Sequence, residues 1–123
     1  MSPFVLPDTL SFPDGLVGLA SLTAFAVEAV EGGPLVELTA VDEPGFRVSV
    51  VPAEVVRDDL RAALAARDVA SDGEAVLVIL SAHGEPPTLS ANLAGPIVVS
   101  SDGVARQVIL EDPAFPVRAP IGA

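Results

Sequence analysis

At 123 residues, half of them hydrophobic, the chain suits one modest core and reads as a single domain over 1–123. Seventeen acidic side chains against six arginines and no lysine give a formal net charge of −11, which repels nucleic-acid phosphates and anionic membrane surfaces. The absence of cysteine excludes disulfide and thiol chemistry, and no apolar run approaches the roughly 20 residues that span a bilayer. No basic stretch precedes an apolar block at the N-terminus, so the expectation is a soluble, cytoplasmic protein. The acidity favours basic protein partners through its field, and it also serves plain solubility.

Proline and glycine punctuate the chain about every ten residues, the spacing of short strands joined by turns. Segments 22–31, 34–41 and 46–51 read as consecutive strands, with Gly32-Gly33 and Asp42-Glu43-Pro44-Gly45 as their turns. Phe46, Val48 and Val50 alternate with Arg47, Ser49 and Val51, the period of a sheet with one buried face. The period then changes. Val56, Leu60, Ala63 and Leu64 form an apolar stripe, which predicts one helix over 52–66 starting at Pro52.

Residues 75–82 form a near-continuous apolar strand, expected to be central and covered on both faces. A Pro-rich loop over 83–88 leads into an extended segment, 89–100, interrupted at Gly95-Pro96, where a bulge or an edge position is expected. Asp102-Gly103 turns the chain into a strand over 105–111. The tail, 112–123, holds three prolines and is expected to be extended without regular pairing. The predicted fold is mainly β: a small antiparallel, partly closed, barrel-like sheet with one flanking α-helix.

Chemistry is poorly supplied. The single histidine, His83, and the lack of cysteine leave no His/Cys metal site, and lysine-dependent phosphate loops and Schiff bases are ruled out. No serine occupies a Gly-x-Ser-x-Gly elbow, so a hydrolase would require the fold to gather a serine, His83 and a carboxylate. Neighbouring acids such as Asp58-Asp59 and Glu111-Asp112 diverge on any regular element and read as solvated charges. No catalytic residue, metal or cofactor is assigned. Five Phe with no Tyr or Trp give core anchors rather than stacking platforms, and Phe115 in the tail is the one expected as an exposed contact.

The segment Ser90-Ala91-Asn92-Leu93-Ala94-Gly95-Pro96-Ile97-Val98-Val99, followed by Arg106-Gln107-Val108-Ile109-Leu110, carries the most information. Asn92, Gly95, Pro96 and Gln107 read as a structural motif: a side chain satisfying loop amides, a bulge glycine, an edge proline and a cross-strand tie. The same bulge offers a second reading, in which Leu93 and Ile97 are re-aimed outward for a partner, with Glu111, Asp112 and Phe115 beside them. This segment resembles the closing signature of the flagellar assembly factor FliW family, and Leu10-Ser11-Phe12-Pro13-Asp14-Gly15-Leu16-Val17-Gly18-Leu19 is similar to its opening motif, with Val17 and Leu19 where Pro and Phe are usual. The resemblance implies a protein-binding factor rather than an enzyme. Its expected partners are flagellin and the basic RNA-binding regulator CsrA, with no nucleic acid or membrane bound. The rival readings are a β-rich interaction module unrelated to flagella and a small hydrolase.

Overall fold

The computed structural model describes residues 6–121 apart from Asp58 and Asp72, and the backbone only of His83. Its elements are β1 (Thr9–Ser11), β2 (Ala24–Ala29), β3 (Val36–Ala40), β4 (Arg47–Pro52), α1 (Ala53–Val56), α2 (Leu60–Ala66), β5 (Ala75–His83), β6 (Thr88–Val99), β7 (Ala105–Gln107) and β8 (Ala119–Pro120). The first seven strands pair antiparallel in chain order, and β8 pairs with β6. One parallel bridge, Ser11 to Val104, brings the two ends of the sheet together, with Ser11 N–H donating to Gly103 O at 2.9 Å. The result is a nearly closed, barrel-like sheet with a mainly β composition, as the turn spacing predicts.

Two hydrophobic cores divide the side chains. Inside the barrel lie Leu10, Phe12, Phe25, Leu38, Leu77 and Ile97 among others. Phe12 and Phe25 meet edge-to-face at 5.2 Å between centroids, the arrangement that ring quadrupoles favour. Outside it, Leu60, Leu64, Val78, Leu93, Val98 and Phe115 fill the space under the helices and tail. Val50 enters the inner core and its neighbour Val51 the outer one, because successive strand residues face opposite ways. β5 is covered on both faces from Ala75 to Val78, as its apolar run predicts, but Ser81 and Ala82 are exposed beyond the cover of the helices. His83 continues that strand and pairs with Thr88, so the predicted loop shortens to a turn at 84–87.

The helical stripe is present but divided. Leu60 and Leu64 are fully buried while Val56 and Ala63 pack at the margin, yet the chain breaks between α1 and α2. At the break Arg57 is extended, with φ −146° and ψ 122°. Its guanidinium makes a paired contact with the Asp59 carboxylate, donates to Ala114 O at 3.1 Å and lies 5.5 Å from the Phe115 ring centre. These contacts offset the helical turn that is lost.

The tail departs from expectation more sharply. It is a strap on β6, not an unpaired extension. Pro120 and Ala119 pair with Ser90 and Ala91, Leu93 N–H donates to Pro116 O at 3.0 Å, and Ile121 N–H donates to Leu89 O at 3.2 Å. Proline cannot donate to a ladder but its carbonyl accepts, which is why a Pro-rich segment still pairs along one flank. Phe115 anchors the strap, 2% exposed, with Arg67 stacked on it at 4.8 Å and tied to Asp112 at 2.9 Å. Phe115→Ala should therefore cost about 3–5 kcal/mol in urea unfolding, the range for a buried phenylalanine. A loss below about 1 kcal/mol would show that the tail is not docked.

Candidate protein-binding site

The closing motif forms a wide bulge in β6. Leu77 pairs with Ile97 and Ile79 with Asn92, so Val78 alone faces residues 93–96, an excess of three on β6. An odd excess reverses which face each later residue takes. Ala91 and Leu93 accordingly enter the outer core, and Ile97 and Val99 the inner one.

Stranded backbone groups in such a bulge need partners, and side chains supply them. The Asn92 carboxamide Oδ1 accepts from Ala94 N–H at 3.1 Å and from Gly95 N–H at 3.0 Å. Gln107 Nε2 donates to Gly95 O at 3.0 Å, while its Oε1 accepts from Val17 N–H at 2.9 Å. A methyl group at Gly95 would lie 2.8 Å from Gln107 Nε2 and 3.1 Å from Asn92 Nδ2, so only glycine leaves room for both amides. On the other flank, Val108 N–H donates to Pro96 O and Leu110 N–H to Ala94 O, keeping the register of β6 with β7 beyond the end of that ladder.

Leu93 and Ile97, expected to turn outward, do not. They are 1% and 0% exposed, because the reversal sends each into one of the two cores. Phe115 is likewise a core anchor and not an exposed contact, and the strap explains why. Asp112 is half-buried; Ala114 N–H, then Arg67, hold its carboxyl below the usual carboxylate range. Of the predicted contact residues, Glu111 alone is freely exposed.

Several large apolar side chains outside the predicted set are exposed among the described residues, Val117, Val41 and Val55 included, and two of them lie beside the motif. Val17 is 58% exposed and Ile109 54%, and both flank Gln107. Ile109 was legible in principle: a strand over 105–111 with Val108 and Leu110 on the core face turns Ile109 to the other side. Nothing in the composition marks Val17, which sits in the tight turn closed by the Leu16–Leu19 backbone bonds.

A second polar cluster fastens the α2–β5 connection to the barrel. Glu74 accepts from Ser71 N–H at 2.9 Å, Ser100 Oγ at 3.3 Å and Arg106 Nη1 at 3.2 Å, while Arg106 Nη2 donates to Val69 O. Arg106 first, then the Ser71 N–H, hold the Glu74 carboxyl down at about 2. Every oxygen of this carboxylate is engaged, so the cluster is a clamp. No group of three His, Asp or Glu side chains able to hold a metal occurs among the described residues, and His83's side chain lies outside them.

A family model described as FliW protein matches residues 5–121. The chain belongs to the FliW family. The flagellar assembly factor FliW of Bdellovibrio bacteriovorus is 28% identical over 122 residues, covering 93% of this chain and 70% of that protein. That of Leptospira biflexa is 26% identical over 118 residues, covering 89% and 77%. A crystal structure of the flagellar assembly factor FliW superposes with a TM-score of 0.74 at 20% identity, over 94% of this chain and 86% of that one, and shares the fold. No helix among the described residues is long and apolar enough to cross a membrane.

The Glu74 clamp makes a pH prediction. A carboxylate depressed from the usual value to about 2 contributes stability that is complete above about pH 4.5 and lost as pH falls through about 2. Glu74→Gln should cost about 1.5–3 kcal/mol at pH 7, the range for hydrogen bonds to a charged group, with the gap to the parent narrowing by pH 3. A gap that stays constant between pH 7 and pH 3 would contradict the ionic clamp.

Proposed function

We propose that this FliW-family chain acts in the cytoplasm by binding other proteins and not by catalysis. When flagellin is free it binds flagellin; otherwise it binds CsrA and relieves that repressor's hold on translation. The observation that carries the reading is the family match across 5–121.

The surface is consistent with it. Four of the six arginines are already paired with acids on this chain, to Glu37, Asp59, Asp112 and Glu74. The other acids among the described residues, Asp8, Asp14, Glu28, Glu31 and Glu111 included, are exposed, and with a net charge of −11 the field outside the molecule is strongly negative. A basic RNA-binding regulator is drawn to that field, and nucleic acid is repelled by it. An antagonist of this charge has no need to imitate RNA, since attraction to the protein and rejection of its ligand come from one source.

Stopped-flow association with CsrA tests this reading. The rate constant should fall steeply from about 50 to 500 mM salt, as the Debye length shrinks from more than 10 Å to a few. A measurable association with no salt dependence would reduce the acidity to a solubility feature, and no association with either CsrA or flagellin would overturn the proposed function.

A further inference from the structure

The antiparallel register of β6 with β7 decides which backbone groups of the following segment are spoken for. Ser100 N–H donates to Val104 O, Val108 N–H to Pro96 O and Leu110 N–H to Ala94 O, so even-numbered residues present their backbone to β6. Odd-numbered residues present theirs to the opposite side. There Gly103 O accepts from Ser11 N–H, which is where β1 meets the barrel. Beyond that bridge β1 contributes no further pairing to this side. By the same register the Gln107 backbone faces this side, and the backbone groups of Ile109 and Glu111 have no hydrogen-bond partner among the described residues.

We propose that Gln107–Glu111 is an open strand edge that takes an extended segment of a basic partner by β-strand addition. The proposal rests on the reading of the chain as a CsrA antagonist and names the surface used. Four observations carry it. The edge is strand-forming, Gln-Val-Ile-Leu-Glu, and has no lysine, proline or bulge of the kind that blunts exposed edges. Ile109 and Val17, each more than half exposed, give an apolar platform beside it. Gln107 holds that platform rigid by joining Val17 to Gly95 through one side chain. Glu111 and Asp14 are exposed and form no ion pair among the described residues, so the platform is bordered by free negative charge.

The same charge selects the occupant. A second copy would bring another −11 against this one, whereas a strand with alternating apolar and basic side chains satisfies the edge amides, covers Ile109 and neutralises Glu111. Main-chain bonds would supply the affinity, and the Ile109 and Glu111 positions the selectivity.

The probe is purified CsrA, read by amide exchange on the parent chain and by calorimetry on Ile109→Pro. Proline at 109 removes an outward N–H and holds φ near about −65°, which extended backbone at a sheet edge accepts, so the fold should survive it while strand addition fails. The expected result is slowed exchange at Ile109 and Glu111 on binding, and affinity weakened about tenfold or more by Ile109→Pro at an unchanged melting temperature. CsrA binding with no protection of these amides, or equal binding by a folded Ile109→Pro, overturns the edge and leaves the proposed function standing. Protection that appears without CsrA as concentration rises makes the occupant a second copy and overturns it too. No binding of CsrA to the parent removes the function as antagonist and this surface with it. If Ile109→Pro does not fold, exchange on the parent decides.

Discussion

The carboxamide of Asn92 is the contact on which the rest of the structure depends. By accepting from two successive amides of the bulge, it satisfies the backbone at the point where β6 runs out of register with β5. Without that register excess, a strand with period two would send Ala91, Leu93, Ile97 and Val99 to one face. With it, one strand feeds both cores: Leu93 under the tail and Ile97 inside the barrel. Gly95 admits the two amides, and Gln107 carries the network across to the segment before β2. A buried bulge of this kind is stable only when nearly every polar group is answered.

The outer core follows from the same reversal. Leu93 and Ala91 would lie uncovered on the outer face if α2 and the tail were absent, and the tail would have no ladder if β6 did not offer its flank at Ser90 and Ala91. Arginine joins these parts. Arg57 and Arg67 lie against the Phe115 ring while pairing with Asp59 and Asp112, so the only cationic side-chain type in the chain is spent largely on fastening the tail and the α2–β5 connection. The acids left over carry the external field.

Much of this was legible. The turn residues and the alternation at 46–51 gave the strands, the spacing of Leu60 and Leu64 gave the docked helix, and the roles of Asn92, Gly95 and Gln107 matched their chemistry. What the sequence concealed depended on contacts distant along the chain. The break at Arg57 is held by Ala114 and Phe115, about sixty residues later, which no local periodicity records. The outward reading of Leu93 and Ile97 failed because a bulge of even excess and one of odd excess look alike in sequence, yet place residues on opposite faces. Pro-rich composition argued against tail pairing, since it registers missing donors and says nothing of the carbonyls that accept.

The candidate surface illustrates the same limit. Exposure of Ile109 follows from alternation once the register is known, but the edge at Gln107–Glu111 depends on β1, paired along its length with β2, reaching the far end of the sheet among the described residues only at the Ser11–Val104 bridge. The amides satisfied by Asn92 hold the bulge and thereby both cores. Urea unfolding of Asn92→Ala tests this most directly. Leaving two amides of the bulge unsatisfied should remove about 2–4 kcal/mol. A variant within about 0.5 kcal/mol of the parent, the ordinary scatter of surface substitutions, would contradict the account.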